Sequence, residues 1–239
     1  MARMVLVHGA FGSSAVWDPV VAGLRERGHQ VEAIDLPGAG DDATPLAEVS
    51  LEMYAERACS ALGGGGPAVL VGHSMGGVVV TQAAARCPEH VSKLIYVCAF
   101  IPADGQSLSD LTQLPEGAGD QVQANMVVEG EPPIATLPAA AAKRTLMCCC
   151  DERQADWAVG TLGPQPVLPF TQPVTVGGRA FTALPRSYII CLRDQAIMPA
   201  LQRRMLKAAG CAAAVELDTD HFPMGSRPDE LAEAIDQLA

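Results

Sequence analysis

A serine flanked by glycines is the feature of this sequence that most clearly suggests covalent chemistry. Ser74 is the centre of Gly72-His73-Ser74-Met75-Gly76, which matches the pattern G-x-S-x-G and is extended by Gly77. In this pattern the serine occupies a sharp, strained turn between a strand and a helix, and the glycines leave room for that turn. The apolar run Ala68–Val71 precedes it and an apolar helical stretch follows it. A serine hydroxyl is a poor nucleophile until a base takes its proton, so the motif predicts a nucleophile with partners elsewhere in the chain.

The base should be a histidine that follows the last strand, because in this arrangement the partners come in the order serine, acid, histidine. The sequence has five histidines: His8, His29, His73, His90 and His221. Only His221 lies between the last predicted strand and the last predicted helix. We therefore expect His221 to accept the proton of Ser74.

Three aspartates compete for the role of the acid that orients the histidine. Asp194 follows the predicted strand Ser187–Cys191 on a loop at the same edge of the sheet, whereas Asp218 and Asp220 precede His221 closely. The acid must hold the imidazole from behind and stabilise its charged form. A near neighbour in sequence rarely reaches that far nitrogen, so Asp194 is favoured, and the other two remain alternatives.

Acyl transfer also needs hydrogen-bond donors for the oxyanion that develops on the attacked carbonyl. One expected donor is the backbone N–H of Met75, directly after the nucleophile. The other is assigned to the N–H of Ala10, in the glycine-rich turn His8-Gly9-Ala10-Phe11-Gly12 after the first strand.

The elements that must position these residues alternate between strand and helix, which predicts βαβ units and a mostly parallel sheet. The predicted strands are Met4–Val7, Val31–Ile34, Ala68–Val71, Lys93–Val97, Ser187–Cys191 and Ala213–Leu217. The predicted helices are Val16–Arg27, Leu51–Leu62, Met75–Cys87, Pro199–Ala209 and Pro228–Leu238.

Between about residues 102 and 185 the strand rhythm is lost, and the chain is rich in Pro, Gln, Ala and Gly. Trp157, Phe170, Phe181 and the amphipathic piece Ala139–Val159 argue against a long disordered loop. We therefore expect one domain over residues 1–239, with this segment inserted as a cap between two halves of one sheet.

Several stretches resemble the α/β-hydrolases, and in particular small esterases related to plant methylesterases, hydroxynitrile lyases and bacterial pyrethroid-type carboxylesterases. The stretches are Val5–Ala10, Gly72–Gly77, Tyr96–Pro102 and Asp220-His221. The resemblance covers nearly the whole chain outside the cap. It implies the α/β-hydrolase fold and hydrolysis of carboxylic esters through an acyl-enzyme on Ser74, with His221 and Asp194 as partners and no organic or metal cofactor.

Two alternatives remain. Hydroxynitrile lyases of this group, which release cyanide from cyanohydrins, carry a threonine after the first-strand histidine and a lysine after the catalytic histidine. This sequence has Gly9 and Phe222 there, and without a cation near the base nothing obvious stabilises departing cyanide. A non-catalytic ligand-binding protein on the same fold is the second alternative.

Aromatic and methionine side chains of the cap and the core rim are candidates for a substrate pocket: Phe11, His73, Trp157, Phe170, Phe222 and Met224. Plain packing is the alternative for each of them. Because no cationic residue is obviously placed to bind a carboxylate, we expect small neutral esters with apolar or aryl groups as substrates.

Composition excludes several classes of partner. The formal net charge of −11 argues against nucleic acid, which requires a cationic surface, and no apolar run is long enough to span a membrane. The N-terminus lacks the features of a signal peptide, so a cytoplasmic location is expected. A homodimer is compatible with the sequence, which does not specify the oligomeric state.

The eight cysteines fit a cytoplasmic protein if they are small buried hydrophobic residues. This is the interpretation given to Cys59, Cys87, Cys98, Cys191 and Cys211. The run Cys148-Cys149-Cys150 is expected on a helical stretch, where adjacent side chains diverge and do not make a metal site. Packing or adventitious oxidation is expected there.

Overall fold

The computed structural model describes residues 1–239 and contains nine strands. They are β1 (Arg3–Val7), β2 (Gln30–Ile34), β3 (Ala68–His73), β4 (Val91–Val97), β5 (Val127–Glu129), β6 (Ile134–Thr136), β7 (Gln165–Pro166), β8 (Arg186–Cys191) and β9 (Ala213–Leu217). Six of them form the main sheet in the order β2-β1-β3-β4-β8-β9, and every neighbouring pair in that sheet is parallel. The predicted α/β fold with a mostly parallel sheet is therefore confirmed.

Twelve helices accompany the strands. They are α1 (Asp18–Glu26), α2 (Leu51–Leu62), α3 (Gly76–Arg86), α4 (Leu108–Thr112), α5 (Gln121–Asn125), α6 (Ala139–Leu146), α7 (Glu152–Gly160), α8 (Leu168–Thr171), α9 (Arg179–Ala183), α10 (Pro199–Ala208), α11 (Pro223–Ser226) and α12 (Pro228–Leu238). The predicted strands and helices of the main sheet all occur, and their ends differ by only a few residues. Helix α1 begins two residues later than predicted, because the stretch Ser14–Trp17 forms a separate 3₁₀ turn before the helix.

Local signals explain where the central helices begin and end. Ser50 accepts the Met53 N–H through its side chain and so caps α2, satisfying one of the free donors of the first turn. Helix α3 begins directly after the Ser74-Met75 turn and ends before Pro88, which cannot continue a helix. The two helices therefore start at defined points relative to the ends of the strands.

Alternation along the strands divides the core between the two faces of the sheet. On β1, Val5 and Val7 belong to the core shared with α2, α3 and α10. Met4 and Leu6 belong to the core shared with α1 and α12. All residues of the central strand β3 are buried. Covered faces on both sides are typical of parallel sheets, and they make the sheet a rigid support for the loops at its edge.

The segment between residues 102 and 185 contains more structure than its composition suggested. Strands β5, β6 and β7 form a small antiparallel sheet, and six helices, α4 to α9, surround it. Strands of two or three residues give no readable alternation, which is why the sequence did not predict them. The amphipathic piece Ala139–Val159 is two helices, α6 and α7, separated by a turn.

The cysteine interpretation was wrong in two respects. Cys59 and Cys87 are joined by a disulfide between helix α2 and the end of α3. Cys148-Cys149-Cys150 lies in the turn between α6 and α7, not on a helix. Since disulfides are typical of oxidising compartments, cysteine usage no longer supports the cytoplasmic location, which stays a prediction. No helix combines the length and the apolar character needed to cross a bilayer.

Candidate active site

Three side chains from the ends of three different strands meet at the carboxyl edge of the sheet. Ser74 follows β3, Asp194 follows β8 and His221 follows β9. The Ser74 Oγ lies 2.8 Å from His221 Nε2, and His221 Nδ1 lies 2.7 Å from Asp194 Oδ2. The structure thus brings together the three residues that the sequence selected, with one ring nitrogen of His221 turned to each partner.

Asp194 is fixed by three further hydrogen bonds, although it is buried. Its Oδ1 accepts the N–H groups of Ala196 at 2.7 Å and Ile197 at 2.9 Å. Its Oδ2 accepts from Gln202 Nε2 at 2.9 Å as well as from His221. These donors satisfy both oxygens of the buried carboxylate, and its orientation leaves it facing the imidazole.

The two competing aspartates point elsewhere. Asp218 is exposed and pairs with Arg193. Asp220 is buried, but its carboxylate accepts from the Cys149 N–H at 2.6 Å and from Ser226 Oγ at 2.9 Å. Asp194 is therefore the carboxylate in hydrogen-bond contact with the His221 ring.

The environment of His221 has opposing effects on its pKa. Burial lowers the pKa, whereas the charge and hydrogen bond of Asp194, together with the charges of Asp120 and Asp220, raise it. The carboxylates outweigh burial, so the pKa of His221 lies above its ordinary value of 6.5. A base with a pKa raised in this way is well suited to take a proton near neutral pH.

The backbone at Ser74 has the conformation that the sequence motif predicts. Its φ is +54°, in the left-handed region that side chains rarely adopt. The glycines on either side permit the tight turn, because a Cβ on Gly72 would lie 2.6 Å from the carbonyl oxygen of Gly76. The hydroxyl is consequently held at the tip of the turn, directly before helix α3.

The two amides assigned to the oxyanion have no acceptor within the protein. Neither the Ala10 N–H nor the Met75 N–H donates to a backbone or side-chain oxygen, and both residues line the cavity that contains Ser74. Gly9 allows this close arrangement, since a Cβ there would lie 2.8 Å from the Cβ of Ser74. Two free donors beside a nucleophile are what an oxyanion site requires.

Comparison with known proteins agrees with this geometry. The model of the alpha/beta hydrolase family matches residues 4–234. The chain belongs to this family. The resemblance and fold predicted from the sequence are thereby confirmed.

Individual relatives of this α/β-hydrolase are similar over nearly its whole length. A pyrethroid hydrolase of Sphingobium wenxiniae is 31% identical over 99% of this chain and 87% of its own. Methyl jasmonate esterase 1 of Vitis vinifera is 30% identical over 99% of this chain and 96% of its own. The crystal structure of a pyrethroid hydrolase from Sphingobium faniae JZ-2 has a TM-score of 0.90 at 30% identity, covering 99% and 96% of the two chains. The three names describe two pyrethroid hydrolases and one methyl jasmonate esterase.

An apolar cavity lies over the Ser74 hydroxyl of the hydrolase. It contains about 890 Å3 of empty space, including its open mouth, and 15 of its 24 lining residues are hydrophobic. A mostly apolar lining with a few polar groups is typical of sites for small organic molecules. The inserted segment contributes Leu108, Ser109, Thr112, Asp120, Val122, Gln123, Met126, Leu146, Leu162 and Phe170 to the lining. No lysine or arginine lines the cavity, and Asp120 is its one acidic residue.

Five of the six residues selected for the pocket line this cavity: Phe11, His73, Phe170, Phe222 and Met224. Trp157 is not among the lining residues. Its ring packs on the ring of Phe222, with the centroids 5.9 Å apart. Trp157 therefore supports a wall of the cavity from outside. This is ordinary packing, because an amphipathic helix buries its apolar face against the core.

His73 has a structural contact in addition to lining the cavity. Its Nε2 lies 2.8 Å from the carbonyl oxygen of His221, which can only accept, so this nitrogen carries the proton. Burial and the neighbouring His221 hold the pKa of His73 well below its ordinary value. His73 is thus a neutral donor that fixes the backbone of His221.

Two residues of this site were missed by the sequence interpretation. Gln202 on α10 binds Asp194, and Gln165 on β7 binds the loop that carries Ala10 by accepting the Phe11 N–H. Both are buried glutamines. A buried glutamine is uncommon, but burial is not visible in a sequence, and neither residue belongs to a motif.

Two clusters contain the residue types that bind metals: His73, Cys98 and His221, and Cys148, Cys149 and Asp220. In the first cluster the ring nitrogens of His221 contact Ser74 and Asp194, and the Cys98 thiol faces the His221 carbonyl oxygen. In the second, both carboxylate oxygens of Asp220 already accept hydrogen bonds. The imidazole of His221 and the carboxylate of Asp220 are thus engaged in contacts within the protein.

Proposed function

We propose that this protein is a serine carboxylesterase that hydrolyses small neutral esters through an acyl-enzyme on Ser74. The observation that carries the proposal is the hydrogen-bonded series Ser74–His221–Asp194, with contacts of 2.8 and 2.7 Å, at the base of an apolar cavity. The ester hydrolases among its relatives support the same reaction class.

In the first half of the reaction, the Ser74 Oγ attacks the carbonyl carbon of the ester while His221 Nε2 takes the hydroxyl proton. Asp194 holds the imidazole by its Nδ1–H and stabilises the positive charge that forms on it. The carbonyl oxygen becomes an oxyanion, which the N–H groups of Ala10 and Met75 bind. His221 then donates its proton to the leaving alkoxide, and an acyl group remains on Ser74.

In the second half, water attacks the acyl carbonyl as His221 Nε2 takes a proton from it. The same two amides bind the second oxyanion. Collapse of this intermediate breaks the bond to Ser74 Oγ, and His221 returns the proton to that oxygen. The carboxylic acid leaves and the resting state is restored, without a metal or organic cofactor in any step.

The lining of the cavity favours a substrate with an apolar or aryl group and disfavours a substrate that carries a carboxylate. A carboxylate would enter a site with no lysine or arginine and with the Asp120 carboxylate among its walls. Desolvation of an unpaired anion is costly.

We also propose that residues 102–185 act as a cap on one α/β-hydrolase domain, because they supply ten of the lining residues named above.

The residue after His221 bears on the lyase alternative. It is Phe222, a buried apolar side chain that packs on Trp157, and it supplies no cation for departing cyanide. Gly9 likewise leaves no space for a side chain beside Ser74. These contacts favour ester hydrolysis over cyanohydrin cleavage.

The test compares turnover of p-nitrophenyl butyrate and mandelonitrile by the unmodified protein, Ser74→Ala and the control Ser60→Ala, whose hydroxyl is on the exposed face of α2. We expect ester cleavage that Ser74→Ala abolishes and Ser60→Ala retains, labelling of Ser74 by a fluorophosphonate, and no cyanide. Full ester turnover in Ser74→Ala would contradict the proposal. Cyanide release without ester cleavage would indicate the lyase, and neither product would indicate a binding protein.

A further inference from the structure

The oxyanion loop, defined here as His8–Gly12, contains a strained residue next to its proposed donor. Phe11 follows Ala10 directly and has a φ of +65°. For a bulky side chain this left-handed conformation is unfavourable and persists only where surrounding contacts impose it. The conformation of the loop directly after Ala10 therefore depends on whatever holds Phe11.

Both polar backbone atoms of Phe11 are bound by the inserted segment. The Phe11 N–H donates to Gln165 Oε1 at 3.4 Å, and the Phe11 carbonyl oxygen accepts from the Gly163 N–H at 2.7 Å. The flanks of the loop are held differently. His8 Nε2 accepts from the Leu36 N–H at 3.1 Å, and the Ser14 N–H donates to Asp35 Oδ1 at 2.6 Å. Gly163 and Gln165 thus hold the strained middle of the loop from outside, and the Gly12 N–H closes the turn from within by donating to the Gly9 carbonyl oxygen at 3.3 Å.

The orientation of the Gln165 amide is determined by its other contacts. Its Nε2 donates to the carbonyl oxygen of Pro166 at 2.9 Å and to the Tyr54 hydroxyl at 3.2 Å. A carbonyl oxygen can only accept, so the NH2 group must face Pro166 and the amide oxygen must face Phe11. Gln165 is 3% exposed and Tyr54 is 2% exposed, so water does not compete for these bonds. Tyr54 in helix α2 thus connects the amide to the core.

We propose that Gln165 is a positioning residue for the oxyanion site: it holds Phe11 in the left-handed conformation that directs the Ala10 N–H at the developing oxyanion. The inference rests on the proposed esterase function. It couples the inserted segment to catalysis, because a movement of β7 away from the loop would break the bond to Phe11. Gln165 itself does not line the cavity, so it acts through Phe11 and not on the substrate.

The test uses Gln165→Met, which keeps the length of the side chain and removes the amide, and Gln165→Glu, which keeps the acceptor but places an oxygen against the Pro166 carbonyl. Gln172→Met is the matched control. Gln172 is also a glutamine of the inserted segment, and it accepts the Leu51 N–H at 2.7 Å, but it does not contact the oxyanion loop. Rates are normalised to the Ser74 sites that a fluorophosphonate labels at completion, so a partly unfolded preparation still yields a rate per site.

We expect Gln165→Met to lower kcat by about 10- to 100-fold, less than the 10²–10³ that follows removal of an oxyanion donor itself. KM for p-nitrophenyl butyrate should change little. The inhibition constant of an aryl trifluoromethyl ketone, whose adduct with serine carries an oxyanion, should rise in parallel with the loss of kcat/KM. Gln165→Glu should lose activity as well, and Gln172→Met should retain it.

A kcat per labelled site within twofold of the unmodified protein in both Gln165 variants would overturn the inference while leaving the esterase intact. An equal weakening of ketone binding and of binding of a non-covalent product acid would also overturn it, because that result indicates a general change of the pocket. If the proposed esterase mechanism itself were wrong, ester turnover would not depend on Ser74, and the Ser74→Ala variant measures this separately.

Discussion

Gln202 donates from its Nε2 to the same carboxylate oxygen of Asp194, Oδ2, that faces His221. The Gln202 side chain is fully buried, and its amide is oriented by the carbonyl oxygen of Ile197, 2.7 Å from Nε2, and by the Cys191 N–H, 3.1 Å from Oε1. The carboxylate that faces His221 is therefore supported by helix α10 and by strand β8. This support fixes which of its atoms can reach the imidazole.

Replacement of Asp194 by Asn should lower kcat for ester hydrolysis by about 10⁴-fold at pH 7, the loss seen when an asparagine stabilises the wrong tautomer of a triad histidine. Four N–H groups donate to the two carboxylate oxygens of Asp194, and the NH2 group of an asparagine cannot accept from any of them. Either the asparagine oxygen would turn away from His221, or the NH2 group would lie against N–H donors. Steady-state kinetics with p-nitrophenyl butyrate measures this. Asp218→Asn is the control, since Asp218 is exposed and pairs with Arg193. Comparable losses in the two variants would contradict the assignment of the acid.

The pH dependence of kcat/KM should report the titration of His221. Because the pKa of His221 is raised above 6.5 by Asp194, Asp120 and Asp220, against the effect of burial, the acid limb should have its midpoint above 6.5. Activity falls as the pH decreases through this midpoint, since protonated His221 cannot accept the proton of Ser74. Asp120→Asn removes one of the raising charges and should move the midpoint down. A midpoint below 6.5 in the unmodified protein would contradict this prediction.

Asp120 should also determine how the site treats charged esters. Its carboxylate lines the cavity and caps helix α5 by accepting the Val122 N–H. Asparagine is an equally good cap, so Asp120→Asn changes the charge with little effect on the helix. Charges several ångströms apart in a partly solvated site interact by a few kcal/mol at most. We expect the variant to raise kcat/KM for 4-carboxyphenyl butyrate, relative to neutral phenyl butyrate, by about tenfold.

The control for this experiment is Glu116→Gln, which removes a negative charge of the same segment outside the cavity, where it pairs with Arg204. It should leave the ratio of the two rates unchanged. An ester with a trimethylammonium group in place of the carboxylate should respond in the opposite direction to Asp120→Asn. If all three esters responded alike, the effect would be on catalysis and not on substrate charge.

The disulfide between Cys59 and Cys87 should stabilise the fold. It closes a loop with a sequence separation of 28 residues, and a loop of this size corresponds to about 3–4 kcal/mol in the chain-entropy model. Thermal unfolding monitored by circular dichroism should show a lower Tm after reduction. In the double variant Cys59→Ser/Cys87→Ser the Tm should be lower and insensitive to reductant. Titration of the unreduced, unfolded chain should find six free thiols, and a count of eight would disprove the bond.

The sequence by itself determined the elements that carry the proposed chemistry. The strand before Ser74, the glycines around it and the apolar helix after it are adjacent in the chain, so local patterns suffice to predict the turn. The order of strands and helices then places Asp194 and His221 at the same edge of a parallel sheet, because the carboxyl ends of parallel strands lie together. The fold class and the proposed nucleophile depend on contacts between neighbours in sequence or on this one geometric rule.

Tertiary structure decided what depends on contacts between distant residues. Asp194 rather than Asp220 contacts the imidazole because two separate loops and helix α10 meet there. Cys59 and Cys87 are paired because α2 packs beside α3, and Trp157 supports Phe222 from outside the cavity because α7 crosses that wall. The contact of Gln165 with Phe11 joins residues that are 154 positions apart. Hydrophobic periodicity records which face of an element is buried but not which partner covers it, so these pairings required the folded chain.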